Sequence, residues 1–148
     1  SAAKKNPSVK PLDLPPIVPM SDMSQETASL VRALSAPISP AHQLLIPSLF
    51  RHLARWPEFL AFVSPYLTDM ISSGELSRMS SILQGCAADW ATDIGKNIRM
   101  PVDVTTPDEA VQKFWLDEWQ AYTSKPIPEM IVVGHSLRPY LAKISSGV

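Results

Sequence analysis

Residues 44–67, LLIPSLFRHLARWPEFLAFVSPYL, form the most apolar and aromatic run of the chain. Pro57 suits the first position of a helix, because a residue there has no intrahelical partner for its N–H. The stretch therefore predicts two helices that meet at a corner near Trp56, with the rest of the chain packed around them. Helical spacing of apolar residues predicts the buried face of the second of these helices as Phe59, Phe62, Val63, Tyr66, Leu67 and Met70.

Capping residues, prolines and glycines divide the rest of the chain into helices as well. Asp22 is a candidate cap for a first helix, and Pro47 must kink or restart the second. Gly74 suits a left-handed end of the third helix, and residues 106–109 carry a capping-box pattern with proline at the first helical position. These signals predict helices at about 21–36, 40–55, 57–72, 75–98 and 107–123, and a sixth that starts at Pro128.

The pattern as a whole predicts an all-α protein. The run Ile131-Val132-Val133 could form a strand, but no other segment alternates with period two, so a strand there would have no partner. We therefore expect about six helices in one compact domain over residues 21–148. Residues 1–20 contain five prolines and predict an extended tail that precedes this domain.

Composition narrows the class of protein. The net charge of -1 argues against a nucleic-acid partner, and no run approaches the ~18 apolar residues of a membrane span. Charged residues make up 18% of the chain, below the roughly 25% of an average domain, which predicts self-association. The N-terminal residues contain no apolar segment, and Cys86 is the single cysteine. Together these two features predict a cytoplasmic location.

Two helices carry long apolar faces. The fourth has a stripe that alternates between spacings of three and four, which predicts core: Leu76, Met79, Leu83, Cys86, Trp90, Ile94 and Ile98. The fifth places Trp115 and Trp119 on one side, and tryptophans in such a pattern are core residues or interface anchors.

Few residues of the sequence form a pattern that is typical of a catalytic or metal-binding site. Residues 134–138, GHSLR, resemble a nucleophile elbow, but arginine replaces the last glycine and no sheet precedes the motif. Asp89 and Asp93 lie one turn apart and are better explained as the solvated side of the fourth helix than as an acid–base pair. No metal ligands or phosphate-binding loop are apparent, so we predict neither a metal nor a cofactor. The histidines are isolated from other ligand residues: His42, His52 and His135.

Two stretches resemble the group I 2-haloacid dehalogenase family. Residues 50–60, FRHLARWPEFL, are similar to its Arg-x-Leu-Ala-x-aromatic-Pro-x-Tyr/Phe-Leu signature. Residues 127–134, IPEMIVVG, with Leu137, resemble a segment near the end of a family repeat. The likeness covers residues 25–141 in order and spacing.

The resemblance implies a helical fold and a composite site. Full-length members contain two similar halves in one chain, with the active site between them, and hydrolyse 2-halocarboxylic acids without a cofactor. The present chain matches the length of one half, which implies a homodimer with a small-ligand cleft between the subunits. A small carboxylic acid is the ligand that the resemblance implies.

The departure from the family pattern concerns the catalytic residue. The family aspartate that activates water lies eight residues before the signature proline, and that position is Leu49 here. Ser48 and Leu45 match other residues of the pocket, so the resemblance implies ligand-binding positions at Leu45, Ser48 and Leu49 and no catalytic residue. Glu58 is the nearest substitute carboxylate.

Three functions remain open on the sequence alone, and the weakest is an association domain that uses the Pro-rich tail as an arm. The first is a dehalogenase-like homodimer that binds a small ligand or serves as a structural module without catalysis. The alternative is a cofactor-independent hydrolase of 2-halocarboxylic acids, assembled across the homodimer. The alternative requires a carboxylate in the cleft, within reach of a water molecule.

Overall fold

The structure, a computed structural model, describes residues 15–40, 43–98 and 108–145. The described ranges contain helices and turns but no strand, so the all-α prediction is confirmed. Residues 131–133 are helical, which excludes the lone strand considered from the sequence. The α-helices are α1 (Gln25–Ser35), α2 (Ser48–Leu53), α3 (Pro57–Ser72), α4 (Glu75–Gly95), α5 (Glu109–Thr123) and α6 (Pro126–Ser145).

The caps of the first and fifth helices differ from the prediction. Ser24, and not Asp22, caps α1, because its hydroxyl accepts the backbone N–H of Thr27 at 3.2 Å. Asp22 instead closes a short 3-10 turn, Met20–Asp22. Asp108 caps α5 by accepting the N–H of Ala110, while the predicted cap Thr106 lies outside the described residues.

The second helix is much shorter than predicted. A 3-10 turn, Ala36–Ile38, follows α1, and α2 begins only at Ser48, directly after Pro47. Proline disfavours helical angles in the residue before it, and Ile46 is not helical, so α2 starts only after Pro47. The corner predicted at Trp56 is present, with Pro57 as the first residue of α3.

Helix α3 runs unbroken through Pro65, where the sequence predicted a bend. Proline removes the N–H that would bond to the carbonyl of Ala61, four residues earlier. The hydroxyl of Ser64 donates to that carbonyl instead, at 2.9 Å. The predicted left-handed residue after α3 is confirmed, since Gly74 has φ 79° and ψ 1°.

The core lies where α1, α2 and α3 meet the start of α4 and the middle of α6. The buried face of α3 is rotated from the predicted one: Phe62 is 68% exposed and Tyr66 also faces outward, both near the ring of Tyr140. Helix α3 contacts α1, α2 and α4, and its buried residues are those that face these neighbours. The largest fully buried side chains are Val31, Leu34, Ile38, Phe50, Leu60, Val63, Leu67, Val133 and Leu137.

Leu76 is a core residue as predicted, but the rest of the apolar stripe of α4 is not core, contrary to the prediction. Only Leu76 and Ser80 of this helix are buried, and every residue from Gly85 to Ile98 is exposed. Helix α5 has no buried residue. Helix α4 extends past the N-terminal end of α6, where Gln84 donates to the carbonyl of Thr123, so none of the described residues covers the remainder of its stripe.

The segment before α1 is attached to α2. The N–H of Val18 donates to the carbonyl of Arg51, and the Arg51 guanidinium donates back to the carbonyl of Val18 at 3.1 Å. Arg55 donates to the carbonyl of Pro16. Residues 15–19 are therefore held against the helical domain, while residues 1–14 of the predicted tail lie outside the described residues.

Candidate functional site

The three positions that the resemblance marked as ligand-binding lie along one depression of the surface. Leu45, Ser48 and Leu49 form one wall of a cavity of about 400 Å³, which we call the groove. The opposite wall comes from the end of α5 and the start of α6. It consists of Tyr122, Pro126, Ile127, Met130, Ile131 and Gly134, and Pro47 completes the lining.

Local structure positions each of these side chains. The hydroxyl of Ser39 accepts the N–H of Leu45 at 2.9 Å, which holds the loop before α2 over the groove. Ser48 is the first residue of α2, and Leu49 follows on the same helix. Leu49 faces α6 at Gly134, where an added Cβ would meet the Leu49 Cδ2 at 3.9 Å. Glycine at this position therefore leaves the groove open beside Leu49.

The groove is apolar and lacks a carboxylate among the described residues that line it. Its side-chain polar groups are the hydroxyls of Ser48 and Tyr122. Glu58, the substitute base considered from the sequence, is exposed on α3 and does not line the groove. The described lining therefore offers hydrogen-bonding hydroxyls but no group that could accept a proton from water near neutral pH.

A second, larger cavity of about 590 Å³ lies between α3, α4 and α6. We call it the trough. The α4 stripe that the sequence predicted as core forms one of its walls, and Ile131 borders both the trough and the groove. Its apolar lining consists mainly of Tyr66, Met70, Met79, Ile82, Leu83, Cys86, Trp90, Ile131 and Val132.

The ionisable groups of the trough are few. The Arg78 guanidinium donates to both carboxylate oxygens of Glu75, at 2.7 and 2.8 Å. This hydrogen bonding holds the pKa of the Glu75 carboxyl below its ordinary value, so Glu75 is ionised near neutral pH. Asp69 and His135 also line the trough, and both are exposed. The apolar side chains, and not these groups, dominate the lining.

The remaining candidates occupy ordinary helical positions. Asp93 is exposed and accepts from Lys96 at 2.9 Å, as expected for the solvated side of a helix. Ser136 lies within α6, and its hydroxyl donates to the carbonyl of Val133, so residues 134–138 are not a nucleophile elbow. His52 is half-buried in α2, and His42 lies outside the described residues.

The buried carboxylate of Glu129 stands apart from these groups. Its Oε1 accepts from Lys125 Nζ at 2.7 Å, while its Oε2 is buried with no hydrogen-bond partner. Glu129 lies in the first turn of α6, between groove residues Ile127 and Met130, but does not itself line the groove. The pair links the turn between α5 and α6 to the first turn of α6, which forms part of that wall.

The described part of the chain contains neither a metal-binding cluster nor a membrane-spanning helix. Within residues 15–40, 43–98 and 108–145, no group of three or more His, Cys, Asp or Glu residues could hold a metal ion. None of the helices in those ranges is both long and apolar enough to cross a membrane.

Comparison with known proteins identified no relative. No protein-family model matches the chain, no curated protein is detectably similar to it, and no solved structure matches its fold. The geometry of the two cavities is therefore the main indication of function.

The positions that the resemblance implied, Leu45, Ser48 and Leu49, lie on one wall of the groove, whereas no residue of the opposite wall was predicted as ligand-binding. Tyr122, Pro126 and Met130 carry no pattern that distinguishes them from ordinary helical residues. The trough was missed because the α4 stripe was interpreted as core. The low fraction of charged residues was a signal against that interpretation, because it predicted apolar surface that associates with another protein surface.

Proposed function

We propose that this chain is a ligand-binding protein of dehalogenase-like fold, a homodimer whose groove takes a small apolar or weakly anionic acid without hydrolysing it. One observation carries the proposal: side chains from two segments, within residues 45–49 and within residues 126–134, line the same apolar groove although the segments are about 80 positions apart in sequence. The pocket positions that the family resemblance implied therefore lie next to its second matching segment.

The size of the groove suits a small molecule. Ligand pockets usually enclose about 300–1,000 Å³ and combine apolar walls with a few polar groups. The groove has about 400 Å³, aliphatic side chains on both walls and two hydroxyls. This combination favours a short carboxylic acid with an apolar substituent over a sugar or a nucleotide, which would need many more hydrogen-bonding partners.

Electrostatics favour a negative group over a positive one. Helix α6 begins at Pro126 in the groove wall, and the N-terminal end of a helix carries partial positive charge. The Glu129 carboxylate in the same first turn does not line the groove and is paired with Lys125. No acidic side chain among the described lining residues opposes an anion. The hydroxyls of Ser48 and Tyr122 can donate hydrogen bonds to a carboxylate.

The hydrolytic alternative has less support. Direct attack by water needs a base within hydrogen-bond reach, and the position that would supply it is Leu49. A leucine side chain accepts no proton and makes the groove drier. We therefore expect binding without turnover.

Filling the groove is expected to abolish binding. Replacing Gly134 with leucine would place a side chain against Leu49 and occupy the space that the glycine leaves open. In heteronuclear NMR titrations with (R)- and (S)-2-chloropropionate, we expect the unaltered chain to shift groove resonances, and Gly134→Leu to bind at least tenfold more weakly. Ala61→Leu is the matched control, because Ala61 is exposed on α3 and lines neither cavity. Absence of binding by the unaltered chain would contradict the proposal.

Restoring a carboxylate tests the missing base directly. We expect no halide release from either enantiomer of 2-chloropropionate by the unaltered chain, and measurable release by Leu49→Asp, since a positioned general base typically contributes about 10²–10⁴-fold. Leu49→Asn has nearly the same shape but no base and should remain inactive. Halide release by the unaltered chain would instead favour the hydrolytic alternative.

A further inference from the structure

Helix α5 lacks the packing that a helix of its length needs. It has 15 residues and none is buried, and its main contacts are with α6, the next element in the chain. Isolated helices shorter than about 12–15 residues are marginal in water, and most helical stability in proteins comes from packing an apolar face. The exposed apolar face of α5 therefore indicates that another surface covers it.

The trough is an unfilled apolar surface that such a helix could cover. It is an apolar cavity of about 590 Å³, and the α4 side chains along it extend from Met79 to Trp90, which is 70% exposed. Protruding aromatic side chains and an unfilled apolar cavity therefore occur on the same chain. Buried aromatic anchors that fill pockets are the usual source of binding energy at protein interfaces.

The exposed area matches what a stable dimer needs. Four aromatic side chains, Trp90, Phe114, Trp115 and Trp119, are 58–70% exposed and leave on the order of 500 Å² uncovered, since each such side chain buries 150–250 Å². Four half-exposed aliphatic side chains add about 200 Å², since full burial of such a side chain corresponds to roughly 60–120 Å² at about 25 cal/mol per Å². They are Ile82, Ile94, Val111 and Ile131. The total approaches the about 800 Å² that each partner buries in a standard interface.

We propose that a second copy of this chain covers this surface, with α5 of each subunit lying along the trough of the other. The arrangement is reciprocal, as a two-fold interface requires, because each chain offers both the aromatic face and the cavity. It rests on the homodimer of the proposed function and specifies the surfaces that form it. Since Tyr122 at the end of α5 also lines the groove, and Ile131 borders both cavities, the docked partner would lie beside the ligand.

The first test uses the oligomeric state. Light scattering coupled to size exclusion should give twice the chain mass of 16.3 kDa. Trp115→Glu should shift the mass to that of one chain at the same concentration, because it places a charge in the centre of the interface. Trp56→Glu is the matched control, since Trp56 is 54% exposed at the α2–α3 corner and lines neither cavity. A monomeric unaltered chain, or a Trp115→Glu dimer, would overturn the inference.

The second test uses the unaltered chain and shows where the partner docks. Cys86 lines the trough and is exposed in the single chain, so iodoacetamide should label it readily there. In the proposed dimer α5 of the partner covers it, and labelling should slow at least tenfold as the protein concentration rises through the dissociation constant. Equal labelling of dimer and monomer would mean that the dimer forms elsewhere, and protection independent of concentration would mean that a segment of the same chain fills the trough. Either outcome overturns the inference, while the ligand titrations would still decide the proposed function separately.

Discussion

Replacing Phe50 with alanine is expected to destabilise the protein by about 3–5 kcal/mol, a large part of the roughly 5–15 kcal/mol that stabilises a typical domain. Phe50 is fully buried and belongs to α2, a helix of six residues whose buried side chains are Phe50 and Leu53. Removing the ring leaves a cavity that the short helix cannot close without moving. Since α2 also carries Ser48 and Leu49, ligand binding in the groove should weaken as well.

Phe62→Ala is the matched control for this prediction. Phe62 is 68% exposed on α3, and its ring forms a T-shaped pair with that of Tyr140 at a centroid distance of 6.2 Å. Its removal should cost about 0.5–1 kcal/mol. Urea denaturation followed by circular dichroism gives both values, provided that all samples have the same concentration, because the proposed dimer would contribute to apparent stability. Equal losses for the two variants would contradict the observed orientation of α3.

Replacing Lys125 and replacing Glu129, the two partners of the ion pair at the start of α6, should change the free energy of unfolding by different amounts. Lys125→Met leaves the Glu129 carboxylate buried without its cation, which is expected to cost about 2–3 kcal/mol, somewhat less than a fully buried pair because the Lys125 side chain is 42% exposed. Glu129→Met removes the buried charge and the unpartnered Oε2 together. Its effect should lie between neutral and about 2 kcal/mol of stabilisation, because a well-packed apolar side chain often replaces a buried charge without loss.

Denaturation of both single variants and the double variant tests this expectation. The double variant should behave like Glu129→Met, since Lys125 has no buried charge to neutralise once the carboxylate is gone. If Glu129→Met cost as much as Lys125→Met, the pair would be a net source of stability, and the prediction would be wrong. A loss of ligand binding in Lys125→Met alone would show that the pair also positions the groove wall formed by α5 and α6.

Local signals in the sequence predicted much of the fold. Pro57 and Gly74 mark the limits of α3 because their backbone preferences act at the residue itself, independently of the rest of the chain. The cap of α1 was misplaced from Ser24 to Asp22, because both residue types cap equally well and only the folded chain selects one. Leu45, Ser48 and Leu49 were placed by resemblance and not by any property of their own side chains.

What the sequence by itself determined is the all-α class, the division into helices and the side of each helix that is apolar. Only the tertiary structure decided what covers those sides. The buried face of α3 differs from the predicted one because its neighbours pack against a different side of the helix. The apolar stripe of α4 is largely exposed because α6 begins alongside Gln84 and α4 continues beyond that point. The physical reason is that helical periodicity reports an apolar face and says nothing of its partner, so a core helix and an interface helix have the same pattern.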